Sequence, residues 1–182
     1  NLRDFGEGKH RNVDDTPAGG GAGMVLRPDV MGRAIDHAMQ GARGAWPLVY
    51  LSPRGRRFDQ RMAERLAQAQ GVTMICGRFE GLDERVIQHY GIQEISLGDF
   101  VMTGGELAAQ AVIDATVRLL PGVLGNAEST ENESFSDGLL EHPQYTRPAD
   151  WRGHTIPDVL MSGPHGEIAK WRQQMSEEIT RL

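Results

Sequence analysis

Ile95-Ser96-Leu97-Gly98-Asp99-Phe100-Val101-Met102-Thr103-Gly104-Gly105-Glu106 is the stretch around which the rest of the chain is organised. It joins a short apolar segment, three glycines and two carboxylates, and runs directly into an apolar-periodic helix expected over residues 107–120. A strand, a tight backbone turn and a helix start therefore meet here. Glycine at 98, 104 and 105 permits positive φ and removes Cβ atoms, so backbone amides and carbonyls can approach a ligand closely. A plain glycine-rich turn between strand and helix is the alternative reading of the same residues.

Upstream, residues 47–51 read as a short buried strand ending in Ser52-Pro53 and an arginine-rich turn. A helix is expected over 59–70, ended by Gly71, and 72–76 form the next strand. That strand enters Gly77-Arg78-Phe79-Glu80-Gly81-Leu82-Asp83-Glu84-Arg85-Val86, a polar loop opening a short helix, before a third strand near 94–97. Such alternation is the pattern of an α/β domain with a parallel sheet. Ligands of these sheets bind outside the carboxyl ends of the strands. Ser52-Pro53, 77–81 and 98–105 all fall there, so three loops are expected to converge on one site.

Nearer the start, Pro28 opens a helix reaching about residue 40, with Val30, Met31, Ala34, Ile35, Ala38 and Met39 on one apolar face. The segment before Met24 is polar and loop-like. Its glycines at 19, 20, 21 and 23 follow no apolar strand, and Gly-Lys-Ser/Thr is absent, so neither a P-loop nor a dinucleotide fingerprint is supported. With His10, Arg11, Asp14 and Asp15 beside it, this loop is suited to closing over a substrate. Downstream of Pro121 the periodicity stops, and 122–134 read as an acidic linker or mobile loop. Residues 145–148 and 156–161 look irregular or extended. After Ser162-Gly163-Pro164 a helix carries Ile168, Trp171, Met175 and Ile179 on one face, as part of a small second module.

Composition excludes several classes. A hydrophobic fraction of 39% and a charged fraction of 24% over 182 residues describe an ordinary globular protein, with no apolar run long enough to span a membrane. The single Cys76 cannot form an internal disulfide, which fits a reducing, cytoplasmic compartment, and its apolar surroundings favour a buried structural thiol over a nucleophile. Net charge is −6, yet the basic charge is almost all arginine and clusters at 54, 56, 57, 61 and 65, either a phosphate-binding patch or a solvated face. The six histidines are scattered, no metal-ligand spacing occurs, and Gly-x-Ser-x-Gly is absent. Carboxylates, arginines and backbone loops remain, the equipment of group transfer by positioning and proton removal.

Cys-Gly-Arg-Phe-Glu-Gly-Leu-Asp-Glu-Arg-Val at 76–86, Gly-Asp-Phe-Val-Met-Thr-Gly-Gly-Glu-Leu at 98–107, Pro-Gly-Val-Leu-Gly at 121–125 and Tyr-Thr-Arg-Pro at 145–148 closely resemble the bacterial tRNA (guanine-N1)-methyltransferases of the TrmD family. Residues 19–24, 50–53 and 162–168 extend the resemblance over nearly the whole chain. It implies the SPOUT fold: a deep trefoil knot in an α/β domain around a mainly parallel sheet (1–121), a linker (122–136) and a small helical C-terminal domain (137–182). The family's opening strand and the end of its C-terminal domain are expected to lie outside this sequence.

The resemblance further implies an obligate homodimer that moves a methyl group from S-adenosylmethionine to N1 of guanosine 37 in tRNA when guanosine also occupies position 36, supporting reading-frame maintenance. By motif position, Tyr50, Leu51, Ser52, Pro53, Gly77, Phe79, Glu80, Leu97, Gly98, Met102, Gly104, Gly105 and Ala108 are expected to line the cofactor pocket. Family members also use magnesium, for which no protein ligand is assigned here. Glu133 stands where the family carries an Asp as its proposed general base, and Ala108 where proline is common. Removing the weakly acidic N1 proton calls for a base, and charge moving to O6 calls for a cation; Glu133 and Arg118 are the residues expected in these roles. For Arg118 the alternative is an ordinary ion pair with Asp114, four residues back. Two other readings are a knotted methyltransferase acting on another RNA atom, such as a ribose hydroxyl, and an RNA-binding module without a donor site.

Overall fold

A computed structural model describes residues 1–44, 46–124, 133–135 and 138–182. The chain divides into two compact units, Asn1–Val123 and Leu124–Leu182.

The first unit is built on β3 (Leu48–Arg57), flanked in parallel by β4 (Thr73–Cys76) and β5 (Gln93–Ser96) in the order β4-β3-β5. Four consecutive residues of β3, Val49 to Ser52, are buried, as expected of a central parallel strand covered on both faces. Successive side chains point to opposite faces. Tyr50 joins Met31, Ile35, Ile75, Val86 and Ile87 in the core under α1 (Pro28–Met39) and α3 (Glu84–Tyr90). Val49 and Leu51 join Met62, Leu66, Ile95 and Val112 in the core under α2 (Gln60–Ala67) and α4 (Glu106–Val117). The expected α/β arrangement with a parallel sheet is therefore present, with helices on both faces.

Three local expectations need correcting. The arginine-rich segment is not a turn after a strand ending at Leu51. Instead β3 continues to Arg57, with a register shift: Ile95 pairs with Leu51 and again with Arg56. Gly55 makes this possible, because a Cβ there would collide with the backbone of Glu94 and Ile95. The helix expected over 59–70 is shorter, because Asp59 lies outside it as the N-cap, accepting the Met62 N–H, and regular structure ends at Ala67. The N-terminal segment is not wholly loop either: Leu2–Phe5 form a 3-10 turn, and β1 (Asp14–Asp15) pairs antiparallel with β2 (Val25–Leu26).

The second unit holds a short hairpin of β6 (Asp150–Trp151) and β7 (His154–Thr155), then α5 (Asp158–Ser162), a short helix where 156–161 were expected to be irregular or extended, and α6 (His165–Thr180). Ile168, Trp171, Met175 and Ile179 are all half-buried along one face of α6, as their spacing predicts.

Candidate functional site

At the carboxyl ends of the three parallel strands lies a cavity of about 310 Å³. Its walls are the middle of β3 (50–54), the loop after β4 (77–82) and the end of β5 with the loop that follows it to α4 (95–105), closed by Ala108 of α4. All the residues expected to form a cofactor pocket line it: Tyr50, Leu51, Ser52, Pro53, Gly77, Phe79, Glu80, Leu97, Gly98, Met102, Gly104, Gly105 and Ala108.

Backbone contacts build these walls. The Ser96 hydroxyl donates to the Gly98 carbonyl at 3.0 Å and accepts the Gly98 N–H at 3.1 Å, while the Phe100 N–H donates to the same carbonyl at 2.9 Å. The Gly105 N–H donates to the Gly77 carbonyl at 3.1 Å, tying the third loop to the second. The second loop is tied to the N-terminal segment by the Glu80 N–H donating to Met24 and the Leu26 N–H donating to Gly81, each at 2.9 Å.

The glycines work differently from the sequence expectation. Gly98, Gly104 and Gly105 do not adopt positive φ; Gly105 has φ −81°. Their value lies in the missing Cβ alone. At Gly105 a Cβ would come within 2.9 Å of Cys76 Cα and 3.2 Å of the Gly77 nitrogen, so this glycine lets α4 start directly against β4. At Gly77 a Cβ would meet the Tyr50 ring at 2.7 Å, and at Gly81 its hydroxyl at 2.6 Å. Positive φ occurs instead at Gly81 and at Phe79, whose exposed ring borders the cavity.

Charged groups cluster at the rim. Arg78 donates through Nε to Glu106 at 2.9 Å, bridging the loop after β4 to the first residue of α4. The Glu106 carboxyl is held below its ordinary value by its own backbone N–H and by Arg78. Arg54 binds Glu84 at 2.9 Å and Glu94 at 3.2 Å, and Arg57 binds Asp99 at 2.9 Å. Two members of the arginine cluster are thus committed to carboxylates, whereas Arg56, Arg61 and Arg65 have no ion pair among the described residues. Burial pushes the Tyr50 phenol up, so the ring stays neutral. Burial also raises the Cys76 thiol, with Glu106 adding to the effect, which fits a structural thiol. Arg54 also lines the cavity and was missed from sequence, while Arg78, Phe100, Val101 and Thr103 line it from within the expected loops without having been singled out. Arg78 and Glu106 each fall inside a quoted motif, but 28 residues apart no local spacing pairs them.

Arg118 caps the end of α4 in the first unit, half-buried, with its N–H donating to Asp114 O at 3.3 Å. Glu133 belongs to the second unit and is half-buried. The adjacent Ser134 hydroxyl accepts the Glu141 N–H at 2.9 Å, and the Leu140 N–H donates to Thr180 of α6 at 2.9 Å. Most of the expected linker, with Glu128 and Glu131, lies outside the described residues, as does Asp137. Among the described residues no group of three or more His, Cys, Asp or Glu side chains is placed to hold a metal ion. No described helix is long and apolar enough to cross a membrane.

A family model described as tRNA (Guanine-1)-methyltransferase TrmD matches residues 1–182. A protein of Ruegeria sp. (strain TM1040), named tRNA (guanine-N(1)-)-methyltransferase, is 77% identical over 99% of this chain and 74% of its own length. Proteins of the same name from Roseobacter denitrificans and Brucella ovis are 69% and 55% identical, each over 99% of this chain and covering 75% and 73% of their own lengths.

Proposed function

The chain belongs to the tRNA (guanine-1)-methyltransferase TrmD family and is a tRNA (guanine-N1)-methyltransferase, and we propose that it methylates guanosine 37, next to a guanosine at position 36, with S-adenosylmethionine bound in the cavity at the strand ends. The observation that carries this reading is the convergence of two glycine-bearing loops, 77–82 and 97–105, on one cavity against residues 50–54 of β3. Its residues suit the donor. The absence of Cβ at Gly77 and Gly81 lets the Tyr50 ring pack directly against the backbone of the second loop, backbone amides and carbonyls line the walls, and Leu51, Leu97, Met102 and Ala108 offer apolar surface to a purine. S-adenosylmethionine supplies an already activated methyl group on a sulfonium.

The protein's remaining tasks are alignment, proton removal and charge stabilisation. Glu133 takes the N1 proton onto a carboxylate oxygen, and the Arg118 guanidinium stabilises negative charge gathering on O6. No leaving-group acid is required, because the departing thioether is neutral. Magnesium belongs to the same proposal, without an assigned ligand set.

We extend the reading to the trefoil knot, to the division into methyltransferase domain (1–121), linker (122–136) and C-terminal domain (137–182), to a cytoplasmic setting, and to a homodimer. Support for the homodimer comes from α4, where Ile113 is 48% exposed and Val117, four residues on along the same face, 39%, apolar side chains that a second copy would cover. On the same helix the Thr116 hydroxyl is buried without a hydrogen-bond partner among the described residues.

The test combines methyl-labelled donor, unmodified tRNA and nucleoside analysis. The expected product is 1-methylguanosine; label on a ribose, or no transfer, would overturn the reading. Glu133→Gln keeps size and hydrogen bonding but loses basicity, so single-turnover transfer should fall by about 100-fold or more while donor and tRNA binding persist. Glu133→Asp should stay active. A near-normal rate in Glu133→Gln would remove Glu133 as the base.

A further inference from the structure

The second unit contains a cavity of its own, about 180 Å³, enclosed by α6, α5 and the segment before the hairpin. Three rings converge there: Trp171 lies 6.1 Å from Tyr145 and 6.4 Å from His142, each tilted by 60°. Ile168 and Leu160 supply apolar surface, and among the described residues Arg172 is the one charged residue of the lining. Tyr145 is 48% exposed, so its ring is only partly committed to the unit's interior. The Trp171 indole N–H, a donor, has no acceptor among the described residues.

Charge distribution identifies the occupant. Lys170 and Arg181 are paired with Glu167 and Glu177 on the same helix. Arg172, Arg147 and Arg152 have no carboxylate partner among the described residues. Arg147 lies two residues beyond Tyr145, and Arg152 stacks over the Trp151 ring with its guanidinium carbon 5.1 Å from the centroid. Tilted aromatic faces, an unpaired N–H donor and unpaired guanidiniums are the combination that holds a splayed-out base by stacking while engaging its phosphates. An apolar peptide would use the rings but leave the guanidiniums without anionic partners.

We propose that the cavity between His142, Tyr145 and Trp171 is a nucleobase-binding subsite, which stacks one unpaired base of the RNA substrate and engages its phosphate through Arg172. The proposal rests on the tRNA substrate argued above. It adds a binding site in the second unit, with an effect on RNA affinity and none on donor affinity.

The test uses the whole chain, labelled with 15N, and a short single-stranded oligoribonucleotide of mixed sequence. The Trp171 indole N–H signal should shift on titration, while that of Trp46, whose N–H is held by Thr73 at 2.9 Å, should not. Tyr145→Leu keeps apolar bulk at a half-exposed position and should weaken binding of the oligonucleotide and of tRNA by about tenfold. Arg172→Ala should weaken both less. Donor affinity and the single-turnover rate at saturating tRNA should be unchanged in both variants. An unmoved Trp171 signal at saturating RNA, or parental RNA affinity in Tyr145→Leu, overturns the subsite. If the parent chain then methylates tRNA normally, the function argued above stands without it. A parent chain that forms no 1-methylguanosine overturns that function instead, and the Trp171 signal still decides the subsite.

Discussion

Residues 19–23 and residues 98–105 are both rich in glycine, yet they use it for different physical reasons. In the first, Gly19, Gly20, Gly21 and Gly23 all have φ between +84° and +123°, and around Gly19, Gly20 and Gly21 a Cβ would meet nothing within 4 Å. Those three are selected by backbone conformation. In the second, no glycine has positive φ, but a Cβ on Gly105 would strike the β4 backbone, one on Gly98 the Phe100 ring, and one on Gly104 the Arg78 and Glu106 side chains. These are selected by close approach. The first kind shapes a chain path over open space; the second makes a wall, and only the second builds the large cavity.

The comparison predicts an order of effects. Gly105→Ala should be the most damaging, because its obstacle is the backbone of a central sheet and cannot move aside. We expect about 3 kcal/mol of lost stability together with a loss of donor affinity, read from a melting curve and a calorimetric titration. Parental values for both would mean that this glycine is not there for close approach. Gly23→Ala should come next. It combines φ +86° with a clash against the Glu80 side chain, which can swing away, so about 2 kcal/mol is expected, with weaker donor binding if Glu80 leaves the cavity wall. Gly20→Ala should cost least, about 1 kcal/mol of backbone strain, and leave donor affinity unchanged. A donor-binding defect there larger than that of Gly105→Ala would reverse the comparison.

These contrasts also mark where the sequence was legible. Strand, helix and strand could be read from apolar runs and their terminators, because those signals are local. The long reach of β3 could not. Arg54-Gly55-Arg56-Arg57 has the polarity of a turn, and only the long-range pairing of Arg56 and Arg57 with β5, allowed by the bare Cα of Gly55, turns it into strand. For the same reason a glycine's purpose cannot be read from its neighbours in sequence. Gly105 is explained by Cys76 and Gly77, nearly thirty residues away. The loops bordering the large cavity could be inferred from strand topology, but individual lining residues came from motif resemblance. The Arg78–Glu106 bridge, formed between the loop after β4 and the first residue of α4, escaped both routes.

The most direct test of the cavity as the donor site is a titration of the 15N-labelled chain with S-adenosylmethionine, observed at the backbone amides. The segments 77–82 and 95–105 and the middle of β3 should shift together with one saturable dissociation constant, while Gly19 to Gly21 and α6 stay unmoved. Saturable binding that leaves those three segments unperturbed, or no binding at all, would contradict the assignment of the donor to this cavity.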